Sequence, residues 1–526
     1  MLMSYLLASA IHLGLPQDGS VVDRDRLDRA AFAPRDAASE PQDVAAQPVQ
    51  PLAAFVLDAV EYEATPQVRA MIEPAVTPFL GETLDGQGVA RLRAAVSGVL
   101  GRRAALPIIA VDTSRSGQGV LRITALPGRA GRIAIYGDVD QGVELLRQYA
   151  GRLAEEVPLR RATSERFLSL IADIPGAKTT LQTAPSATPG AVDLGLDVDF
   201  SRWEAETIVN NRGSRSLGRV QVTAEVRLNG GVRFGDQTRL AVTLPTDPQR
   251  FQHVALSHRQ PLGSDGAALT VGVGRLRTRV DGFDGDAATA SAVVSWPAIR
   301  AYRQNLVLSA GLDALNSDNA VFGDLRATER TRALRASAAW SRVAPTAVVS
   351  ANLTLSQGLA DLGAQADALT DADFAKVNGR LDLSRALGRQ FRLSGAVAAQ
   401  WSPDRTPTAE LFSLGGAEFG RGFTAGLLVG DSGYGAKVEA AWRPAFLPKP
   451  VLGSEIYAFA DGGEVRINDR DVLPARSDAL LSAGVGVRVA LGERLLVELE
   501  GARAVDDPRL GGSGGTRFGF GLAARF

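Results

Sequence analysis

The chain contains no cysteine in 526 residues. That absence excludes disulfide frameworks, thiolate zinc sites and thiol nucleophiles. Histidine is nearly as scarce, with only His12, His253 and His258. The last two stand five apart in the strand-like FQHVALSHRQ, so they fall on opposite faces of a strand and cannot share one metal there. No apolar run reaches the roughly 18 residues of a membrane-spanning helix. A membrane β-barrel is not excluded, because its alternating strands are only half apolar. Excess charge is also missing: the formal net charge is -1, which argues against a nucleic-acid binder. No P-loop or dinucleotide fingerprint is present. GGSGG (Gly511 to Gly515) matches G-x-S-x-G formally, yet it precedes the final strand-like run and reads as a turn rather than a nucleophile elbow. No enzymatic activity, metal or cofactor is therefore expected.

Glycine, by contrast, is abundant, at 56 residues, and the length predicts several units. Residues 1–20 open MLMSYLLASAIHLGLPQ, apolar with a small-x-small site at Ala8-Ser9-Ala10, as in an export signal. Residues 21–51 begin with a charged run that predicts a short helix, Asp23 to Phe32, and then become a Pro/Ala/Gln-rich linker. Residues 52–128 read as an α+β module in the order β-α-α-β-β. Ala53 to Glu63 is a strand candidate, and Val89, Leu92, Val96 and Leu100 recur at helical spacing. Residues 129–200 repeat the order, with the second helix closed by Pro175-Gly176.

From residue 201 to Phe526 helical periodicity gives way to alternation. In SANLTLSQG, Ala351, Leu353 and Leu355 share one face. In FRLSGAVAAQW, Phe391, Leu393, Val397 and Trp401 lie opposite Arg392, Ser394 and Gln400. In ERLLVELEG, Leu495, Val497 and Leu499 lie opposite Glu498 and Glu500. Strands recurring about every 20 residues predict a barrel of about 16, wide enough for a wet lumen. A lipid-embedded sheet must close to satisfy its backbone. Arg335, Arg380 and Arg392 would cost roughly 2–4 kcal/mol facing mid-bilayer lipid, and alternation puts them in the lumen. The last strand, TRFGFGLAARF, sets Phe518, Phe520, Leu522, Ala524 and Phe526 on one face.

Two short motifs stand out within the barrel region. RGF (Arg421, Gly422, Phe423) lies in LGGAEFGRGFTAGLLVGDSGYGAKVEAAWRP, after Gly415 and Gly416 and before Glu439. F-x-D-x-G (Phe459, Asp461, Gly463) ends the strand-like SEIYAFADGG. An arginine on a glycine loop that folds into the lumen can form a semi-enclosed bidentate pair with a strand carboxylate. Asp461 also reads as a turn former, and Asp431 in GDSG reads as a turn residue rather than a partner of Arg421.

Tandem modules, RGF, F-x-D-x-G and a terminal Phe, in this order, resemble the two-partner secretion transporters (TpsB, the ShlB/FhaC/HecB hemolysin secretion/activation type) of the POTRA-barrel superfamily. NNRGSRSLGRVQ (Asn210 to Gln221) and VPLRRATSERFLSLIADIPGA add to the likeness, which covers residues 52–526. The resemblance implies a β-barrel membrane protein preceded by two α+β POTRA domains. It implies periplasmic modules that receive an unfolded secreted exoprotein and an outer-membrane pore that exports it. Barrel-assembly machinery and outer-membrane lipid are the implied partners in biogenesis. It also implies that the sixth extracellular loop locks Arg421 onto Asp461 in the lumen, with Gly422 and Phe423 at the loop tip. Charge reversal of the pair would then partly restore a broken lock. Asp23 to Phe32 corresponds to a pore plug, and the terminal strand with Phe518, Phe520, Leu522 and Phe526 to a sorting signal. One departure is Gly420, preceded by Phe419, where relatives carry Val or Leu.

Two other readings fit parts of this pattern. A barrel-assembly factor of the same superfamily usually carries more modules. A passive porin with periplasmic domains would conduct steadily and bind no partner.

Overall fold

A computed structural model describes residues 52–526, apart from 138–142, 215, 281, 322–323, 368, 449–450, 452, 471–473, 493 and 509–513. The signal-like segment 1–20, the plug candidate Asp23 to Phe32 and most of GGSGG lie outside the described residues. Two compact units emerge, one helical and sheet-containing, the other a barrel.

The first unit holds the two modules. In the first, strands β1 (Phe55–Val56) and β2 (Ala59–Glu63) precede helix α1 (Pro66–Val76). Then come β3 (Thr83–Leu84), helix α2 (Gly86–Leu100), β4 (Pro107–Asp112) and β5 (Val120–Pro127). Local chemistry sets both helix starts. Thr65 and Asp85 cap them, accepting from the amides of Val68 and Gly88, and Pro66 occupies the first turn, where its missing N–H costs nothing. Leu92, Val96 and Leu100 form a buried stripe against Ile72, Leu121 and Ile123. The expected strand Ala53 to Glu63 is split in two. β1 pairs with β3, whereas β2 runs parallel to β5 in a sheet of order β2-β5-β4. The break falls where the amides of Asp58 and Ala59 both turn to the Gly119 carbonyl.

The second module repeats the plan: β6 (Arg129–Gly137), α3 (Glu144–Glu155), α4 (Arg161–Ala172), β7 (Ala177–Pro185) and β8 (Ala191–Phe200). Its sheet order is β6-β8-β7, with β6 and β8 parallel. After α4 the chain turns at Gly176 with φ +76°, a conformation that glycine adopts without strain.

The second unit is a closed barrel of sixteen antiparallel strands. They are β9 (Trp203–Asn210), β10 (Gln221–Asn229), β11 (Gln237–Pro245), β12 (Phe251–Leu262), β13 (Ala267–Val280), β14 (Phe283–Arg300), β15 (Gln304–Val321) and β16 (Asp324–Ala344). There follow β17 (Ala347–Gly358), β18 (Ala375–Leu387) and β19 (Phe391–Trp401). A hairpin of β20 (Phe412–Leu414) and β21 (Leu428–Gly430) stands apart from the wall. The wall resumes with β22 (Ser432–Trp442), β23 (Glu455–Ile467), β24 (Arg476–Leu491), β25 (Leu495–Asp506) and β26 (Thr516–Arg525). β26 pairs with β9 and closes the ring, leaving no edge in the bilayer.

Alternation sorts the side chains as the sequence predicts. On β19, Trp401 is 62% exposed on the outer face while Gln400 is 3% exposed inside. Arg335 and Arg392 are buried on the inner face. Outside, Leu353, Leu355, Leu381, Leu383 and Leu499 give the apolar surface that lipid requires.

Candidate functional site

β19 is the eleventh barrel strand and β22 the twelfth. Residues 402–431 are therefore the sixth of the loops that follow odd-numbered barrel strands, the one expected from the sequence to carry the RGF motif. This loop turns back into the lumen. Its hairpin pairs Phe412 with Gly430 and Leu414 with Leu428. Beyond the hairpin the tip is compacted by glycines: Gly415, Gly416 and Gly420 have φ of +98°, +94° and +95°, where any other residue would be strained. The amides of Gly415 and Gly416 bond back to the carbonyls of Phe419 and Gly420, at 2.7 and 3.2 Å.

Those bends aim Arg421 at the wall. Its Nε donates to Asp461 Oδ2 at 2.7 Å, and its own amide and that of Gly420 donate to Oδ1 at 3.1 and 3.0 Å. The Ser482 hydroxyl also donates to Oδ1. The guanidinium lies over the Phe459 ring with Cζ 3.4 Å from its centroid. Nη1 reaches Glu500 at 3.0 Å and Glu439 at 3.5 Å. The Arg421 and Asp461 side chains are 2% and 0% exposed. The F-x-D-x-G spacing now has a mechanical reason. Residues 459, 461 and 463 share the lumen face of β23: one supplies the aromatic platform, one the carboxylate, and one is bare. Gly463 pairs with Gly435 across β22, and Phe419 of the loop rests over Gly435, where a Cβ would lie 2.5 Å from its ring.

The tip also has its own apolar core. Phe419, Phe423, Leu414 and Leu428 pack on Val465, Leu480 and Ala504 of the wall. Each buried Phe is worth about 1.5–3 kcal/mol. Gly422 is pressed against the β25 backbone, and its amide donates to Ser482 Oγ at 3.2 Å. The Phe423 carbonyl accepts from Arg517 Nη1 at 2.5 Å.

The expected pair is thus part of a larger network that sequence reading missed. Arg488 is at its centre, donating to Glu439 at 2.5 and 2.9 Å, to Glu455 at 2.8 Å and to Glu498 at 2.8 Å. It stacks on Tyr457, Cζ 3.8 Å from the ring centroid, as Arg421 stacks on Phe459. The Tyr457 hydroxyl donates to Glu498 and Glu500 at 2.9 and 3.0 Å. Arg392 binds Glu455 and Glu439, Arg443 binds Glu455, and Arg212 binds Glu498. Five guanidinium groups therefore face five carboxylates in a closed cluster, the arrangement that makes buried charge tolerable. Gly484 and Gly486 clear room for the two rings: a Cβ there would lie 2.5 and 2.3 Å from Phe459 and Tyr457. Signals for some of this were present. Tyr457 stands two residues before Phe459, and Glu498 and Glu500 were already on the lumen face. Nothing in sequence spacing says which arginine meets which carboxylate across strands.

Asp431 is not a partner of Arg421, as the sequence suggests, but it is no solvated turn either. Arg470 grips it bidentately, 2.8 Å to each oxygen, and Thr406 and the Asn468 amide add three further bonds. It closes the neck of the loop. Arg380, on the lumen face, pairs with Asp382 and with Glu418 of the loop. At the end of the wall, Phe518 and Phe526 of the terminal-strand set are exposed, and Phe520 and Leu522 are half-buried.

Comparison with known proteins agrees with this architecture. Residues 192–489 match the family described as haemolysin secretion/activation protein ShlB/FhaC/HecB. The heme/hemopexin transporter protein HuxB of Haemophilus influenzae (strain 86-028NP) is 20% identical over 414 residues, 74% of this chain and 72% of that protein. The structure of CdiB from Escherichia coli superposes with a TM-score of 0.69 at 19% identity, covering 96% of this chain and 95% of that one. BamA from Haemophilus ducreyi lacking POTRA domains 1-3 gives a TM-score of 0.56 at 14% identity, over 91% and 100%. With the family match spanning more than half its length, the chain belongs to the ShlB/FhaC/HecB family of haemolysin secretion/activation proteins, the outer-membrane β-barrel transporters of two-partner secretion with periplasmic POTRA modules.

Proposed function

We propose that the junction of Arg421 with Asp461, Phe459, Glu439 and Glu500 is a lock that holds the sixth loop in the lumen, and that export of the partner depends on it. The observation that carries this is the Asp461 carboxylate, which gathers the Arg421 side chain and two successive loop amides. A solvated loop arginine has no need of such convergence. Gly415, Gly416, Gly422 and Phe423 shape the tip, and Gly463 keeps its approach clear.

The cargo is a secreted exoprotein received unfolded by the modules at 52–128 and 129–200, by strand addition to a sheet edge or in a helix–strand groove. Residues 201–526 form its pore. Residues 1–20 are the export signal, and 21–51 the linker and plug. The terminal strand, with Phe518, Phe520, Leu522 and Phe526, addresses the chain to the barrel-assembly machinery, and the apolar outer face seats it in outer-membrane lipid. No ATP is available in the periplasm, so folding of the exoprotein outside the cell supplies the drive.

The direct test uses residues 52–200 as bait against the secreted proteins of the source organism. One large β-rich exoprotein should be retained, and retained more strongly in its unfolded than in its native form. A bait that retains nothing, together with a large steady ion conductance of the full-length protein, would favour a passive porin.

A further inference from the structure

The docked loop leaves part of the lumen open. A cavity of about 500 Å3 lies beside strands β9 to β16, with Thr223, Thr278, Thr289, Ser291 and Thr331 in its wall. These are uncharged hydroxyls, suited to passing contact with a polypeptide backbone. At the edge of this cavity stands a charge cluster that the lock does not include. Glu410, on the loop's short turn Thr408–Glu410, is 1% exposed. Its carboxylate receives Arg335 Nη2 at 2.9 and 3.2 Å and Lys376 Nζ at 2.7 Å. Arg335 also binds Asp313 and, at 2.7 Å, Ser356. The Glu410 carbonyl accepts from Lys376 and Gln400 at 3.1 and 2.8 Å. Arg335, Lys376, Asp313 and Gln400 all belong to the wall from β15 to β19. That wall therefore presents two cations to one carboxylate of its own, and the loop supplies the second carboxylate. The loop bridges the lumen: its base is held by β15 to β19 and its tip by β22 to β25, with Glu418 beside the tip also on Arg380 of β18.

An extended chain that enters this cavity runs directly against the turn that carries Glu410, which is part of the cavity wall. Of the loop's attachments, that of Glu410 yields more readily than that of Arg421. The space beside Arg421 and Glu500 is about 10 Å3, room for about one water. Withdrawing Arg421 would leave Asp461, Glu439 and Glu500 without that cation and nearly dry. Withdrawing Glu410 leaves Arg335, which lines the cavity of about 500 Å3, with Asp313 and Ser356 still bound to it and solvent beside it, and leaves Lys376 next to Gln400.

We propose that the exoprotein segment threads the half-lumen beside β9 to β16, and that Glu410 is the latch that releases to admit it while Arg421 stays on Asp461. This rests on the reading of the barrel as the exoprotein's pore. Glu410 is a positioning residue, so its test needs readouts that simple destabilisation would not move.

The full-length protein is measured in planar bilayers in KCl, and protein export into the medium is followed in the source organism. Glu410→Gln should raise the open-channel fraction about tenfold, equivalent to about 1.4 kcal/mol off the latched state. Glu410→Asp, which keeps a carboxylate before Arg335 and Lys376, should stay near wild type, which a barrel merely intolerant of change at this position would not do. The tip can be fixed independently. An added Cβ at Gly435 would lie 3.0 Å from the Phe419 Cβ, about 0.5 Å inside ordinary disulfide spacing, so Phe419→Cys with Gly435→Cys forms a tether after a small outward shift of the tip, in a chain with no other cysteine. Export by the oxidised form at the level of its own reduced form supports the proposal. Loss of export on oxidation, restored by reductant, overturns it, as does wild-type conductance in Glu410→Gln. If the wild-type protein neither exports nor conducts, the pore reading itself falls and the latch with it.

Discussion

Replacing Asp461 with alanine removes the acceptor of four donors at once: the Arg421 side chain and amide, the Gly420 amide and the Ser482 hydroxyl. Breaking a buried ion pair costs about 3–5 kcal/mol. The low end applies here, because Arg421 keeps Glu500 at 3.0 Å and the face of Phe459. Each amide left dry adds about 1–3 kcal/mol, offset in part by water entering the vacated carboxylate volume. The balance is about 4 kcal/mol against docking of the tip, a change of about 1,000-fold in the docked ratio. Arg421 is itself a trypsin site. Trypsin added to intact cells should therefore cut the variant loop and spare the wild type, and export should fall. Asp461→Asn preserves volume and one acceptor and should have a smaller effect. Charge reversal, which the isolated motif pair suggests would restore the lock, should fail. A carboxylate at 421 would face Glu500 and Glu439, and a cation at 461 would meet the two amides aimed at it. An Asp461→Ala protein whose tip stays trypsin-resistant and whose export is normal would refute the reasoning.

Two other outcomes follow from the structure. Arg488→Ala leaves Glu439, Glu455 and Glu498 without their shared cation, at a cost of about 3–5 kcal/mol. The temperature at which the folded barrel band disappears in SDS gels should fall, whereas Arg69→Ala, an exposed i,i+4 pair with Glu73, should leave it unchanged. In the first module, the hydrogen bond from Arg122, together with Arg115, holds the Glu61 carboxyl below its ordinary range. A depressed folded pKa means stability present above the unfolded pKa and lost as pH falls through the folded one. The protection of the β2–β5 amides against hydrogen exchange, taken relative to the intrinsic rate at each pH, should thus fall below roughly pH 4, and a Glu61→Gln protein should lack that dependence.

Much of the fold was legible because alternation is a local property. Leu353, Leu355, Phe391 and Trp401 were assigned outward, and Arg335 and Arg392 inward, from period two alone. The two modules were legible because Leu92, Val96 and Leu100 repeat at helical spacing and the βααββ order recurs. The split of Ala53 to Glu63 was not, because the break depends on where Gly119 presents its carbonyl. The same limit applies to the lumen. Arg421 and Asp461 were found together only because short motifs mark both. Arg488, Tyr457 and Glu455 carry no motif, and Arg470 is joined to Asp431 across 39 residues.

Which face of each strand meets lipid, that the sheet closes, and that one glycine loop brings an arginine toward a strand carboxylate can all be read along the chain. Hydrophobic periodicity and backbone satisfaction act residue by residue along the chain, so they can be read there. Tertiary structure alone decided the pairing of five guanidinium groups with five carboxylates, the use of Gly435, Gly484 and Gly486 as clearance for aromatic rings, and the second attachment of the loop at Glu410. Each of these depends on barrel curvature and strand register, which bring together side chains from strands distant in sequence.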